Sequence, residues 1–139
     1  MKLAGKTAIV SGGGRDIGAA VAIKLASEGA NVAINYFSSS AGADKTVAKI
    51  EAAGGKAFAM QGDLNKKADV DALVSKTVET FGSVDVLVNN AGGLIARKTI
   101  AEMPVEHWDA VMSLNVTSIF LMTQACLAQM KSGAIVNLA

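Results

Sequence analysis

The sequence predicts an α/β fold built on a doubly wound parallel sheet. Five short apolar runs have the length and composition of buried strands, and the first four are followed by segments with helical spacing. The first run passes directly into three consecutive glycines and then into a helical pattern, as in the first half of a βαβ unit. Right-handed crossovers then predict the strand order 3-2-1-4-5.

The first unit has a strand at residues 8–10, a glycine turn at 12–14 and a helix after it. The apolar residues at helical spacing are Ile17, Ala20, Val21 and Leu25. Gly12 suits a left-handed turn, and Gly18 lets the helix lie close to the strand. Free backbone N–H groups at such a helix start suit a phosphate. The glycine motif by itself does not distinguish such a site from the alternative, a tight turn that binds no ligand.

The second and third strands are predicted at residues 30–36 and 56–61. Between them lie a polar loop at 37–40 and a helix from about residue 42 to residue 53, which the glycine pair at 54–55 ends. No carboxylate occurs where the second strand ends.

A third helix follows, with one apolar face made of Val70, Leu73, Val74, Thr77, Val78 and Phe81. The fourth strand is predicted at residues 84–88. A long apolar helical region from residue 105 to about 131 then forms one bent helix or two helices, and the fifth strand covers 134–138. Since this region is apolar on more than one side, it is either buried on two faces within the protein or part of an oligomer interface.

Composition narrows the function classes. The 139 residues form a single domain, 51% apolar, with 13 basic and 12 acidic residues and no block of like charge. This balance argues against nucleic acid or an anionic membrane as a partner. We expect no transmembrane helix or signal peptide, no metal site, and a cytoplasmic location because the single Cys126 cannot form an internal disulfide. Asp85 and Asp109 are expected to be solvated.

Four motifs occur in register along the chain. They are Ser11-Gly12 with Asp16-Ile17-Gly18, Asp63-Leu64, the run Asn89-Asn90-Ala91-Gly92, and Asn115. With these motifs the whole chain resembles the short-chain dehydrogenases/reductases, and within them the bacterial 3-oxoacyl-carrier-protein reductase-like members. The resemblance implies a Rossmann-type fold that binds a nicotinamide dinucleotide.

The resemblance also implies roles for individual residues around that cofactor. The backbone of Gly12, Gly14 and Ile17 would hold the pyrophosphate. Asp63 would accept a hydrogen bond from the adenine amino group, with the Leu64 backbone beside it. A further group would pass close to the ribose and the adenosine side, namely Asn90, Ala91 and Gly92. Asn115 would kink its helix and hold a water in the proton relay.

The sequence favours NADP(H) over NAD(H). An acidic residue after the second strand would select NAD by binding the ribose 2′-OH, and none is present. Arg15 could meet a 2′-phosphate through a charge-assisted bond, with Tyr36, Ser38 and Ser39 nearby. The alternative is that Arg15 pairs with its neighbour Asp16.

The chain departs from the family pattern at two places. Asp16 stands where the family usually has glycine. It is expected either to point outward and cap the helix or to point inward and repel a pyrophosphate. The second departure is that the family's catalytic Ser after strand five and its Tyr-x-x-x-Lys are absent, because the only tyrosine is Tyr36. The chain is therefore expected to be an N-terminal portion, truncated after strand five.

Two functions remain in view. The first is an NADP(H)-dependent oxidoreductase that transfers a hydride to or from a small carbonyl or alcohol substrate, with Asn115 in its water relay. By resemblance it would be a homotetramer, and these 139 residues alone would be inactive. The second is a non-catalytic dinucleotide-binding or self-associating module.

Overall fold

The computed structural model describes all 139 residues, Met1–Ala139. A five-stranded parallel sheet has the order β3-β2-β1-β4-β5, which confirms the predicted topology. The strands are β1 (Thr7–Val10), β2 (Asn31–Tyr36), β3 (Ala57–Gln61), β4 (Val86–Asn89) and β5 (Ala134–Asn137). The helices are α1 (Asp16–Ser27), α2 (Ser40–Ala52), α3 (Lys67–Phe81), α4 (Val105–Met112) and α5 (Ser118–Leu127).

Helices cover both faces of the sheet, so its central strand is buried along its whole length. Successive side chains of β1 point to opposite faces. Ala8 and Val10 pack in a core with Ala22 of α1 and Ile50 of α2, and Ile9 packs in a second core on the opposite face. The second core includes Leu73, Leu87, Met122 and Cys126. Burial raises the pKa of the Cys126 thiol to about 12, so this cysteine is a core residue and remains protonated.

Helix α1 packs on the sheet through a face that only partly matches the predicted one, because Val21 and Leu25 pack against the core but the other two predicted residues do not. Ile17 is 64% exposed and Ala20 is exposed as well, and the buried residues are Gly18, Ala22 and Ala26. These three residues are small, and they lie four apart on one side of the helix. A stripe of small residues lets the helix backbone approach the sheet closely. Large apolar side chains at helical spacing do not indicate such a face.

The other two crossover helices agree better with the sequence. The apolar face of α3 is confirmed, since Val70, Leu73, Val74 and Thr77 are buried. Gly82 ends α3 in a left-handed conformation with φ of 87°. Helix α2 begins at Ser40, two residues before the predicted start.

The long apolar region is one continuous helical segment with a π-helical turn at Ser113–Thr117 between α4 and α5. An apolar stripe of this segment has no partner in the fold; it consists of Trp108, Met112, Val116, Phe120 and Leu127, which are 38–59% exposed. By length and composition alone, Val105–Leu127 could cross a membrane. One such helix is weak evidence for a membrane span, because core helices of soluble proteins share these properties.

Asp85 connects the amino ends of three strands. The expectation that it is solvated is wrong, because its carboxylate is hydrogen-bonded within the protein. Its carboxylate accepts hydrogen bonds from the Thr7 N–H (2.9 Å) and the Ser83 hydroxyl (2.8 Å), and it pairs with Lys6 at 3.5 Å. Its backbone N–H donates to the Thr7 carbonyl and its carbonyl accepts from the Ala134 N–H. The residue therefore connects β1 to the starts of β4 and β5, whereas Asp109 is exposed as expected.

Replacing Asp85 with alanine is expected to lower the free energy of unfolding by about 2–3 kcal/mol, the range for lost hydrogen bonds to a charged group. Burial raises the pKa of Asp85, but the Thr7 and Ser83 hydrogen bonds and the Lys6 charge outweigh it and hold the pKa below its ordinary 3.8. The stabilisation is therefore complete above pH 3.8 and is lost as the pH falls through the folded-state pKa.

Urea unfolding of the unmodified chain and of Asp85→Ala, at pH 7 and then from pH 4 downward, measures both effects. Asp109→Ala serves as the control, and we expect it to change stability by less than about 0.5 kcal/mol. A difference between Asp85→Ala and the unmodified chain that stays constant down to the lowest pH would contradict this account.

Candidate functional site

A cleft of about 710 Å³ lies at the carboxyl edge of the sheet, where the loops after β1 to β4 meet. This edge is the topological switch point, since β1 is followed by β2 on one side and is flanked by β4 on the other. All twelve residues that the sequence assigns to a cofactor line the cleft. They are Gly12, Gly14, Arg15, Ile17, Tyr36, Ser38, Ser39, Asp63, Leu64, Asn90, Ala91 and Gly92.

The glycine turn is held by the loop after β4. The Ser11 hydroxyl oxygen accepts hydrogen bonds from the backbone N–H groups of Asn90 and Ala91, both at 2.9 Å. The Asn90 side-chain amide donates to the carbonyl oxygens of Ser11 and Gly12, both at 3.1 Å. Gly12 has φ of +63°, as the predicted left-handed turn requires. The Asn90 amide thus fixes the shape of the turn.

The start of α1 offers free donors to the cleft. The backbone N–H groups of Asp16, Ile17 and Gly18 have no acceptor in the protein, and no side chain caps this helix. Together with the positive end of the helix dipole they form a site suited to a phosphate.

Arg15 and Asp16 stand side by side at this helix start, and they form no ion pair with each other. Both side chains are exposed at the cleft. The alternative in which Arg15 is neutralised by its neighbour is therefore not observed. The Arg15 guanidinium is left without a protein partner in a cleft that contains no acid at the end of β2.

Asp16 has a left-handed backbone with φ of +49°, which explains why glycine is usual at this position. Aspartate is one of the few other residues that visit this conformation, at some energetic cost. Its side chain makes no capping hydrogen bond, so the expected capping role is not observed. The residue is exposed and lines the cleft.

The loop after β3 contributes Asp63 to the lining of the cleft. The Asp63 N–H donates to the Asp69 carboxylate at 2.8 Å, and Asp63 Oδ1 accepts from the Asn65 N–H at 3.0 Å. Oδ2 has no protein partner and can accept a hydrogen bond from a ligand. Leu64 is 7% exposed, because its side chain packs in the core below the loop.

Asn115 lies in the π-helical turn, Ser113–Thr117, which interrupts the regular α-helical hydrogen bonding at the position where the sequence predicts a kink. Its amide nitrogen donates to the carbonyls of Gly93 (2.7 Å) and Val111 (2.8 Å), and its Oδ1 accepts from the Gly93 N–H (3.0 Å). Both amide hydrogens are therefore used within the protein. Asn115 does not line the cleft itself, but its neighbour Leu114 does.

Asn35, a residue of β2 that is only 3% exposed, also belongs to the site and is not among the residues predicted from the sequence. Its Oδ1 accepts from the Gly12 N–H, and its amide nitrogen donates to the Gly62 carbonyl. The available signal was a polar side chain in an otherwise apolar strand.

The residues present fit a dinucleotide. The cleft combines free N–H groups for phosphates, an unpaired guanidinium and a free carboxylate oxygen, and glycines whose lack of Cβ keeps the backbone accessible. No group of three or more His, Cys, Asp or Glu side chains is placed to hold a metal ion.

Comparison with known proteins agrees with this geometry. The family model described as short chain dehydrogenase matches residues 6–139. A 3-oxoacyl-(acyl-carrier-protein) reductase of Synechocystis is 44% identical, with 98% of this chain and 56% of that protein covered. Glucose 1-dehydrogenase 2 of Bacillus subtilis is 41% identical, with 92% of this chain and 50% of that protein covered.

Among solved structures, a short chain dehydrogenase from Burkholderia cenocepacia in complex with NADP superposes with a TM-score of 0.93 at 39% identity. The match covers 99% of this chain and 56% of that one. This chain therefore spans about half the length of the relatives it matches. Fold, motifs and family model agree, and the chain belongs to the short-chain dehydrogenase family.

Proposed function

We propose that this chain is the dinucleotide-binding part of an NADP(H)-dependent carbonyl reductase or alcohol dehydrogenase. The observation that carries the proposal is the unpaired Arg15 at a cleft with free helix N–H groups and no acid at the end of β2. The NADP complex of the Burkholderia relative supports the same assignment.

In the proposed complex the pyrophosphate lies at the start of α1. It accepts hydrogen bonds from the free N–H groups around Ile17, and Gly12 and Gly14 allow it to approach the backbone. The free Oδ2 of Asp63 accepts from the adenine amino group, with the Leu64 backbone beside it. The segment Asn90–Gly92 passes the ribose.

Arg15 provides the preference for the phosphorylated cofactor. A guanidinium binds a 2′-phosphate through short, charge-assisted hydrogen bonds, and the Ser38 and Ser39 hydroxyls supply further donors. Tyr36 forms the wall of this subsite. The Ser39 hydroxyl is available to a ligand, because Ser39 stands at the start of α2 without making a side-chain capping bond.

The bound cofactor supplies or accepts the hydride. Asn115 acts as a positioning residue: its three hydrogen bonds fix the π-helical turn and the Gly93 backbone at the substrate end of the cleft. Its Oδ1 has one lone pair left to accept a hydrogen bond from a water of a proton relay.

In the family that the chain belongs to, the acid that protonates the carbonyl is the tyrosine of a Tyr-x-x-x-Lys motif, and these 139 residues contain no such motif. The 139 residues by themselves are expected to bind the cofactor without reducing a substrate. A 3-oxoacyl compound is the substrate class that the Synechocystis relative supports.

Replacing Arg15 with glutamine is expected to weaken NADPH binding about tenfold, the equivalent of roughly 1.4 kcal/mol, and to change NADH binding by less than about twofold. Only NADPH has the 2′-phosphate that the guanidinium would bind. Calorimetric titration of the 139-residue chain with each cofactor measures both constants.

The matched control is Arg97→Gln, which removes an exposed guanidinium outside this cleft and is expected to leave both affinities unchanged. If the unmodified chain binds NADH as tightly as NADPH, the assignment of NADP(H) is wrong.

A self-associating role is favoured by the exposed apolar stripe. Five large side chains on one face of a helical segment form a surface that excludes water only when another surface covers it. We propose that this face packs against its copy in another chain, within a homotetramer of the whole protein.

A further inference from the structure

A single buried amide connects the two loops that hold the adenosine half of the proposed ligand. Asn35 lies in β2, between β1 and β3 in the sheet. Its Oδ1 accepts from the Gly12 N–H at 3.4 Å, and its amide nitrogen donates to the Gly62 carbonyl at 3.1 Å and to the Tyr36 carbonyl at 3.4 Å. Its backbone carbonyl also accepts from the Gly13 N–H at 3.0 Å.

No other hydrogen bond connects the glycine turn with the loop after β3. The Gly62 N–H donates to Tyr36 and the Asp63 N–H donates to Asp69, so the remaining bonds of that loop lead away from the turn. The glycine turn is otherwise held from the opposite side, by Asn90. The backbone of β2 also holds each loop, through the Gly13 and Gly62 N–H groups, and the Asn35 side chain is the one side chain that bonds to both.

The burial of Asn35 is consistent with this role. A polar side chain buried at 3% exposure is unfavourable unless its hydrogen-bonding groups are satisfied. The three side-chain bonds of Asn35 meet that condition, and two of them end on the loops of the cleft. An apolar side chain would satisfy the strand equally well, but it would not hold the loops together.

We propose that Asn35 is a positioning residue for the adenosine half of the cofactor, through its simultaneous hydrogen bonds to Gly12 and Gly62. The inference rests on the proposed dinucleotide site. A site whose phosphate donors and adenine acceptor are already correctly spaced binds more tightly, because less order has to be imposed on binding.

The first test uses adenosine 2′,5′-bisphosphate, which contains only the adenosine half. Asn35→Ala is expected to bind it about tenfold more weakly than the unmodified chain does in calorimetric titration. Asn35→Leu, which fills the buried space with apolar atoms and so protects the fold, is expected to show the same loss. Thr77→Ala removes a different buried hydrogen bond, from α3 to the Leu73 carbonyl, and should change binding by less than twofold.

The second measurement needs no ligand and separates positioning from general destabilisation. In amide NMR spectra of the free chain, Asn35→Leu should shift the resonances of Gly12–Gly14 and of Gly62–Asn65 together, while Ile9 in the middle of β1 stays unchanged. Bisphosphate binding within twofold of normal in both Asn35 variants would overturn the inference. If the unmodified chain binds no bisphosphate, the proposed function fails, and the NMR shifts still decide whether Asn35 links the two loops.

Discussion

Replacing Gly18 with alanine is expected to destabilise the fold severely and to abolish dinucleotide binding. A Cβ at this position would collide with the Gly12 carbonyl oxygen and would lie 2.5 Å from the Asn90 amide nitrogen. Both atoms belong to the hydrogen bond that shapes the glycine turn. Either the glycine turn or the start of α1 would therefore have to move.

The expected change in the free energy of unfolding of Gly18→Ala results from two opposing effects. Alanine inside a helix is intrinsically better than glycine by about 1 kcal/mol. Forcing atoms into a filled space costs about 1–3 kcal/mol, and the lost Asn90 bonds add about 1 kcal/mol each. We therefore expect a net loss near 3 kcal/mol, or about 10 °C in Tm for a chain of this size.

Thermal unfolding and NADPH titration of Gly18→Ala measure the two consequences. Gly93→Ala is the matched control, because its Cβ would meet only Leu114 Cδ2 at 3.9 Å. We expect this control to unfold within about 2 °C of the unmodified chain. A Gly18→Ala variant that unfolds at the normal temperature would show that the helix start is not closely packed.

Replacing Phe120 with glutamate is expected to separate associated chains into single ones. Phe120 is 59% exposed in the middle of the apolar stripe, between Val116 and Leu127. If this stripe is covered by another chain, the substitution buries an unpaired carboxylate in an apolar contact, which is strongly unfavourable. Sedimentation of the variant should give the mass of one chain, 14.1 kDa.

Ile100→Glu is the control for this experiment. Ile100 is 84% exposed on a short 3-10 turn, Ile100–Glu102, outside the stripe. The same charge at this position should leave the sedimentation of the unmodified chain unchanged. If the unmodified chain already sediments as a single chain at high concentration, the self-association proposal is refuted.

The topology could be predicted because its signals are local. Each strand is a short apolar run and each helix has a repeated spacing, as in the confirmed face of α3 from Val70 to Thr77. Given alternating elements, the right-handed crossover leaves few strand orders. The motifs at the strand ends then meet at one edge of the sheet, and all twelve residues predicted to bind the cofactor line one cleft.

The errors arise where small or polar residues decide the packing. The buried residues of α1 are Gly18, Ala22 and Ala26. They allow close packing because their side chains are small, and an apolar pattern does not reveal this. Asp85 resembles any surface acid in the sequence, and only the fold brings the Thr7 N–H and Lys6 to it across more than 75 residues. Asn35 likewise acquires its role from two loops that are distant in sequence.

The strand order has a consequence for how the chain acquires its structure during synthesis. The half-sheet β3-β2-β1 lies within the first 61 residues, and its two internal strand pairings, β1 with β2 and β2 with β3, involve no later strand. β4 then adds to the free edge of β1, and β5 adds to the free edge of β4. Both β4 and β5 are therefore synthesised after the strand with which each one pairs. The strands can be added to the sheet in the order in which they are translated.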